Sequence, residues 1–217
     1  MLRNACLKGA EERGYDFVLM LDSDNIPDWH IKQKGSKPFW DSTFDFVWKH
    51  RFEGYSDPYA NGRVAHGPCV CFAPYCGPPE FENPYTFDWA NHATGNAFQD
   101  FALEMPSRFD AANRKGIQRA AAGPTGVMLI DMLAIKRLKA WKRQNPHLKQ
   151  SLFYYEWKDY TESEKASTED VAFTRDLNYA GVPVYCNYDS WAGHVKQKVV
   201  GKPENLPVEW VPKYLGT

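Results

Sequence analysis

A chain of 217 residues with 43% hydrophobic and 24% charged side chains is long enough to bury a sizeable core, and one domain is the expected arrangement. A formal net charge of −1 removes any global electrostatic case for nucleic acid or an anionic membrane surface. Five cysteines cannot form a complete disulfide framework within one chain. Cys69, Cys71 and Cys76 cluster near His66, but the spacing matches no paired zinc module, so reduced structural thiols are expected. No apolar run approaches the roughly 20 residues that span a bilayer, and the opening segment is amphipathic rather than a signal peptide. A soluble, cytoplasmic setting is the expectation.

Residues 2–13 read as a helix, with Leu2, Ala5, Cys6 and Ala10 on one side and Lys8, Glu11, Glu12 and Arg13 on the other. Gly14 is a C-terminal stop. The apolar run Phe17 to Leu21 follows and fits a buried strand of a parallel sheet. It ends abruptly at Asp22-Ser23-Asp24-Asn25-Ile26-Pro27. On an extended backbone Asp22 and Asp24 share a side, and ligands of open parallel sheets bind just beyond strand C-termini. Two carboxylates there suit Mg²⁺ or Mn²⁺. The plainer alternative is turn chemistry, which also favours Asp and Asn after a strand.

Thr43 to Trp48 reads as a second strand. From about 52 to 122 the text is rich in Pro, Gly, Asn and aromatics, which rules out long regular elements. Within this irregular insert Val64-Ala65 and Val70 to Ala73 are expected as short strands, and Phe98 to Met105 as a short helix. Order returns at Gly123-Pro124-Thr125-Gly126, where Gly126 permits close backbone approach, and at the buried strand Val127 to Ile130. Asp131 is placed to cap a helix over Met132 to Gln144 whose many Lys and Arg form a solvated face. Thr168 is placed to cap a second helix, Glu169 to Ala180. Val182 to Cys186 is expected as a last strand near an edge, since Pro183 cannot donate to a ladder. A Gly-containing turn then delivers His194, and a Pro-containing tail follows from about 202 to 217. The core of the single domain is thus expected from residues 1–50 and 120–200.

Arg3-Asn4, then Leu-Asp-Ser-Asp-Asn-x-Pro from Leu21, then Gly-Pro-Thr-Gly-Val-Met-Leu-Ile from Gly123, then Thr-Glu-Asp-Val-x-Phe from Thr168, then Gly-Val-x-Val-Tyr from Gly181, then Gly193-His194: this order resembles the GT-A nucleotide-sugar glycosyltransferases. Within them it is similar to glycosyltransferase family 2, over roughly Arg3 to Val195. The resemblance implies an α/β, Rossmann-like GT-A fold with a mostly parallel sheet flanked by helices. It also implies transfer of a sugar from a nucleoside-diphosphate sugar to a carbohydrate or other hydroxyl acceptor, with inversion. Asp22 and Asp24 then correspond to the family's Asp-x-Asp metal motif, His194 to the histidine that completes the metal shell, and Asp170, with Glu169 beside it, to the catalytic base. Arg3 and Gly126 fall among the donor-binding positions. Trp40, Trp89 and Trp157 are candidates to stack on an acceptor sugar or to fill core.

The family's nucleotide-binding βαβ unit precedes the matched segment and has no counterpart in these 217 residues. An open sheet edge, and association with another copy or chain that completes the sheet, are therefore expected. Two other readings stand beside the transferase. A sugar nucleotidyltransferase shares the fold but wants a Gly-rich basic phosphate loop, which is absent here. A truncated or degenerate domain would act as a carbohydrate-binding or assembly module.

Overall fold

The computed structural model describes residues 2–56, 64–77, 82–89, 103–157, 165–195 and 199–200. Helix α1 (Leu2–Glu12) leads through Gly14, whose φ of 70° suits a glycine stop, into β1 (Phe17–Leu21) and the short β2 (Asn25–Ile26). Helix α2 (Phe39–Phe52) follows, then β3 (Tyr55–Ser56), β4 (Val64–Ala65), β5 (Val70–Phe72), β6 (Asp88–Trp89) and β7 (Leu103–Glu104). The remainder runs through α3 (Arg108–Asn113), β8 (Ile117–Arg119), β9 (Val127–Asp131), α4 (Met132–Gln144), β10 (Glu156–Trp157), β11 (Lys165–Ser167) and α5 (Glu169–Tyr179). It closes with β12 (Val184–Asn187), β13 (Gly193–Val195) and β14 (Val199–Val200).

The main sheet has the order β1-β9-β5-β12-β8. β1, β5 and β12 run in one direction, while β9 and β8 run against them. The sheet is therefore mixed, which corrects the expectation of a mostly parallel one. The alternation of strand side chains sorts the core into two layers. Val18, Met20, Val70, Phe72, Met128, Ile130, Val184 and Cys186 face the layer built with α1, α4 and α5. Phe17, Cys71, Val127, Leu129 and Tyr185 face α2. An α/β/α stack results.

Several sequence expectations are corrected. Thr43 to Trp48 is helical, lying inside α2, where Phe39, Thr43, Phe46, Val47 and His50 are buried at helical spacing. The aromatic run suggested a strand because Phe and Trp favour strands, yet i,i+4 contacts such as Trp40–Phe44 and Trp48–Phe52 support the helix. β1 is an edge strand paired only to β9 among the described residues, and Leu19 and Leu21 are 41% and 52% exposed. β12 lies near an edge as expected, one strand in from β8, and it begins one residue after Pro183, so the missing N–H falls outside the ladder. The supposed insert contributes β5 to the middle of the sheet. Of the expected helix at Phe98 to Met105, residues 98–102 lie outside the described residues, and Leu103–Glu104 is strand β7 paired with β6. The tail from 202 also lies outside them. On α1, Leu2, Ala5 and Cys6 are exposed, and Leu7 and Ala10 are the buried pair. This rotation sets Arg3, four residues before Leu7, on the inward side.

Cys69, Cys71, Cys76 and Cys186 are buried, and no cysteine is disulfide-bonded. Burial pushes the first two and Cys186 well up and Cys76 to about 12, so these thiols stay protonated. No helix among the described residues is long and apolar enough to cross a membrane.

One buried ion pair ties α4 to α5. Lys142, 1% exposed, donates to Asp176 at 2.6 Å and to the Lys149 carbonyl at 2.7 Å. Tyr154 donates to the same carboxylate at 2.8 Å, and Arg175 joins Asp176 to Glu156. Replacing Lys142 by Ala leaves a buried carboxylate short of its cation. We expect a loss of about 3 kcal/mol in urea unfolding.

Candidate functional site

The site grows from the β1–β9 register. Leu21 lies opposite Val127, and the Asp22 amide donates to the Gly126 carbonyl at 2.8 Å. The chain then turns, with the Asn25 amide donating to the Asp22 carbonyl at 3.1 Å. The turn overturns the extended-backbone expectation: Asp22 and Asp24 take different partners. Asp22 accepts from Arg3 Nη2 at 2.5 Å. Asp24 Oδ2 faces His194 Nε2 at 3.3 Å.

His194 is not in a simple turn. It belongs to β13, pairs with Asn25 of β2, and is buried. Its Nδ1 lies 2.8 Å from the Cys76 carbonyl. A carbonyl only accepts, so Nδ1 carries a hydrogen, and it is Nε2 that faces Asp24. Nε2 and the carboxylate oxygen approach favourably when a cation, a proton on Nε2 included, lies between them. The orienting bond at Nδ1 is what a metal-ligating histidine requires.

On the other side of the turn, Arg3 gathers the helix-borne carboxylates. Its Nη1 donates to Glu169 at 3.1 Å and to Asp170 at 3.0 Å. Burial works against the guanidinium charge, but Asp170, Asp22 and Glu169 outweigh it and raise the pKa, so Arg3 is charged at all working pH. Thr125 donates its hydroxyl to Asp170 at 2.5 Å. Burial raises the Asp170 pKa, against opposing contributions from Arg3 and Thr125. Thr168 occupies the N-cap position of α5 without a side-chain cap bond.

Three residues that sequence reasoning did not single out join this cluster. Tyr75, after β5, is buried with its ring centroid 4.8 Å from that of His194. Burial, then the charges of Asp170 and Asp22, push its phenol up, so it stays protonated. Tyr155 is raised by its hydrogen bond to Glu169. Asn25 is buried; its Nδ2 donates to Asp24, and its Oδ1 has no partner among the described residues. A Cβ at Gly126 would meet Asn25 Nδ2 at 2.5 Å and the Tyr75 hydroxyl at 2.7 Å, so the glycine is required for this approach. Of these features, the Gly-Pro-Thr-Gly run was a sequence signal for Thr125; nothing local marked Tyr75 or Tyr155.

The aromatic candidates separate. Trp157 lies on β10 with its ring 6.2 Å from Tyr155. Trp89 sits under the Arg119 guanidinium, and Trp40 stacks on Phe44 of α2. A cleft of about 640 Å³ runs between α2 and the β8–β12 end of the sheet, and its walls include none of the clustered carboxylates.

No protein-family model matches the chain, and no curated protein matches it. The crystal structure of A197 from STIV is similar over 94% of this chain and 76% of that one, at 14% identity and a TM-score of 0.43. Likeness at that level carries no argument about fold or function.

Replacing Thr125 by Val removes a hydrogen bond that favours ionised Asp170. The folded-state pKa of Asp170 already lies above its ordinary 3.8, so stability falls as pH rises from 3.8 through the raised value. In the variant we expect Asp170 to titrate higher still and the falling window to reach higher pH. Carboxyl-carbon NMR titration of the two proteins, with urea unfolding across pH, checks both.

Proposed function

We propose that the protein is a metal-dependent glycosyltransferase that moves a sugar from a nucleoside-diphosphate sugar to an acceptor hydroxyl with inversion. The observation that carries this reading is the convergence of Asp22, Asp24, Glu169, Asp170 and His194, distant in sequence, around one sheet rim. Asp24 and His194 would offer Mn²⁺ or Mg²⁺ an oxygen and an oriented ring nitrogen; among the described residues no three His, Cys, Asp or Glu side chains stand together as a metal-holding group. A divalent cation held there supplies charge relief to the leaving nucleoside diphosphate.

The chain's own groups do the rest. Asp170 accepts the proton of the acceptor hydroxyl as that oxygen attacks the sugar carbon. Its upward shift strengthens it as a base, and Thr125 fixes one oxygen so that the other faces the acceptor. Glu169 holds Tyr155 and shares Arg3. The Arg3 guanidinium, beside Asp22, can fork onto a diphosphate. Gly126 keeps the floor open where a side chain would strike Asn25 and Tyr75. Trp157, its ring 6.2 Å from that of Tyr155, is the candidate to stack on an acceptor sugar.

Calorimetric titration of UDP, GDP, CDP and dTDP with and without Mn²⁺ tests the reading. Saturable binding of one nucleotide that requires Mn²⁺ is expected, lost on chelation and in Asp24→Asn. That variant should keep its fold, because Asp24 is substantially exposed. Absence of binding by every nucleotide in folded protein sinks the proposal. Asp170→Asn should lower turnover at least a hundredfold with donor binding nearly unchanged, since general-base catalysis is worth about 10²–10⁴ in rate.

A further inference from the structure

The surface beside β1 is apolar on two neighbouring elements. On α2, Trp40, Phe44, Trp48 and Phe52 recur every four residues and form a continuous ladder of rings, with successive centroids 5.3, 6.2 and 4.5 Å apart. Phe17 of β1 closes against Phe44 at 5.2 Å, which joins the ladder to the sheet edge. Trp40, Trp48 and Phe52 are 48%, 45% and 54% exposed, and Leu19 and Leu21, on the same face of β1 as Phe17, are exposed too. Half-exposed side chains of this size leave roughly 100 Å² each, so the patch is on the order of 500 Å². With flanking backbone and charges it approaches the roughly 800 Å² that each partner gives to a standard protein interface.

The strand edge itself is open. The Asp22 amide donates to the Gly126 carbonyl, and the Asp16 carbonyl accepts from the Met132 amide, both across the β1–β9 ladder. Antiparallel hydrogen bonding alternates by two residues, so the amides and carbonyls of Phe17, Leu19 and Leu21 point away from β9. Among the described residues no strand meets them. β1 also lacks the devices that blunt an edge: no proline, lysine or bulge interrupts its run.

We propose that this surface takes a second copy of the chain, β1 pairing antiparallel with β1 about a two-fold axis at Leu19. Leu19 then lies opposite its own counterpart and Phe17 opposite Leu21, so the outward amides and carbonyls of the two strands find one another. An axis perpendicular to the sheet keeps each layer on its own side, so α2 meets α2 antiparallel and ladder meets ladder. Charge fits the same arrangement. Asp41 and Asp45 line a hollow with the ladder's rings in the first half of α2, and Lys49 lies in the second half. The antiparallel approach sets the acidic half of one helix against the basic end of the other. The carboxylates bounding the strand do not oppose it, since Asp16 holds Arg51 and Asp22 holds Arg3. Pairing β1 with the other edge strand, β8, is a heterologous contact without two-fold closure. The proposal does not rest on the sugar-transfer reading.

Sedimentation velocity of the full chain across micromolar concentrations tests it, with circular dichroism to show that each variant is folded. The wild type is expected to dimerise. Leu19→Lys places a charge at the axis twice per dimer and should weaken dimerisation at least about a hundredfold. Asp41→Lys and Lys49→Asp, both at exposed positions, should each weaken it about tenfold. The double variant should regain most of that loss, because opposite signs return where Asp41 of one copy meets Lys49 of the other. In a Cys6→Ser background, Leu19→Cys should cross-link to itself under copper-phenanthroline oxidation, since facing Cα atoms of a hydrogen-bonded antiparallel pair lie about 5.5 Å apart, within disulfide reach. Gln144→Cys on α4 should not. A wild type that stays monomeric overturns the proposal and leaves the patch to a different polypeptide. A dimer that Leu19→Lys leaves intact, or in which Leu19→Cys fails to cross-link, also overturns it, because the copies then meet elsewhere. A double charge variant no better than the singles overturns the antiparallel arrangement of α2.

Discussion

The antiparallel register between β1 and β9 is the constraint on which the site depends. Five residue pairs, from Phe17 with Asp131 to Leu21 with Val127, fix where the apolar run stops relative to the Gly-Pro-Thr-Gly segment. Asp22 then meets Gly126 through the backbone, and Thr125 lies next to Asp170 at the start of α5. A slip of one residue would invert every β1 side chain, moving Met20 out of the core and Leu19 into it. Among the described residues β1 has no strand on its other edge, so this one ladder carries the whole placement of the acidic turn.

The acidic turn raises an electrostatic difficulty that the rest of the site resolves in two ways. Asp22, Glu169 and Asp170 converge on a guanidinium supplied by the first turn of α1. Asp24 instead faces an imidazole whose far nitrogen is tied to a backbone carbonyl. The two halves of one short turn therefore belong to two different charge environments. One gathers three carboxylates on a single guanidinium; the other sets one carboxylate against an imidazole. Burial shifts Asp170 upward despite the adjacent Arg3.

Support behind the site comes from the buried Lys142–Asp176 pair. With Tyr154, Arg175 and Glu156 it ties α4, α5 and the aromatic segment before β10 into one unit. That unit fixes the axis of α5, whose first residues carry Glu169 and Asp170, and places Tyr155 where it can reach Glu169. The catalytic candidates thus stand on packed elements, with the geometry of each held by a neighbour.

Local sequence determined much of this protein. The period of apolar residues located α1, β1, β9, α4 and α5 to within a residue or two, and Asp131 caps α4 as its position implied. The Asp-x-Asp turn, the Glu-Asp pair and the late histidine stood out as candidates because they sit at element ends. What the sequence did not carry was direction and partnership. Nothing in Val127 to Ile130 says that its neighbours run antiparallel, because a strand buried on both faces reads the same either way. An aromatic run such as Thr43 to Trp48 satisfies strand propensity and helical spacing together, and packing on the sheet decided for the helix. The face of α1 turned inward depended on Leu7 and Ala10 finding the core, and that choice alone brought Arg3 to the carboxylates. Tyr75, Tyr155 and the opposite turning of Asp22 and Asp24 are contacts between segments far apart in the chain. Local propensity acts over a few residues, whereas these arrangements are fixed by burial and charge balance across the whole domain, which only the tertiary structure supplies.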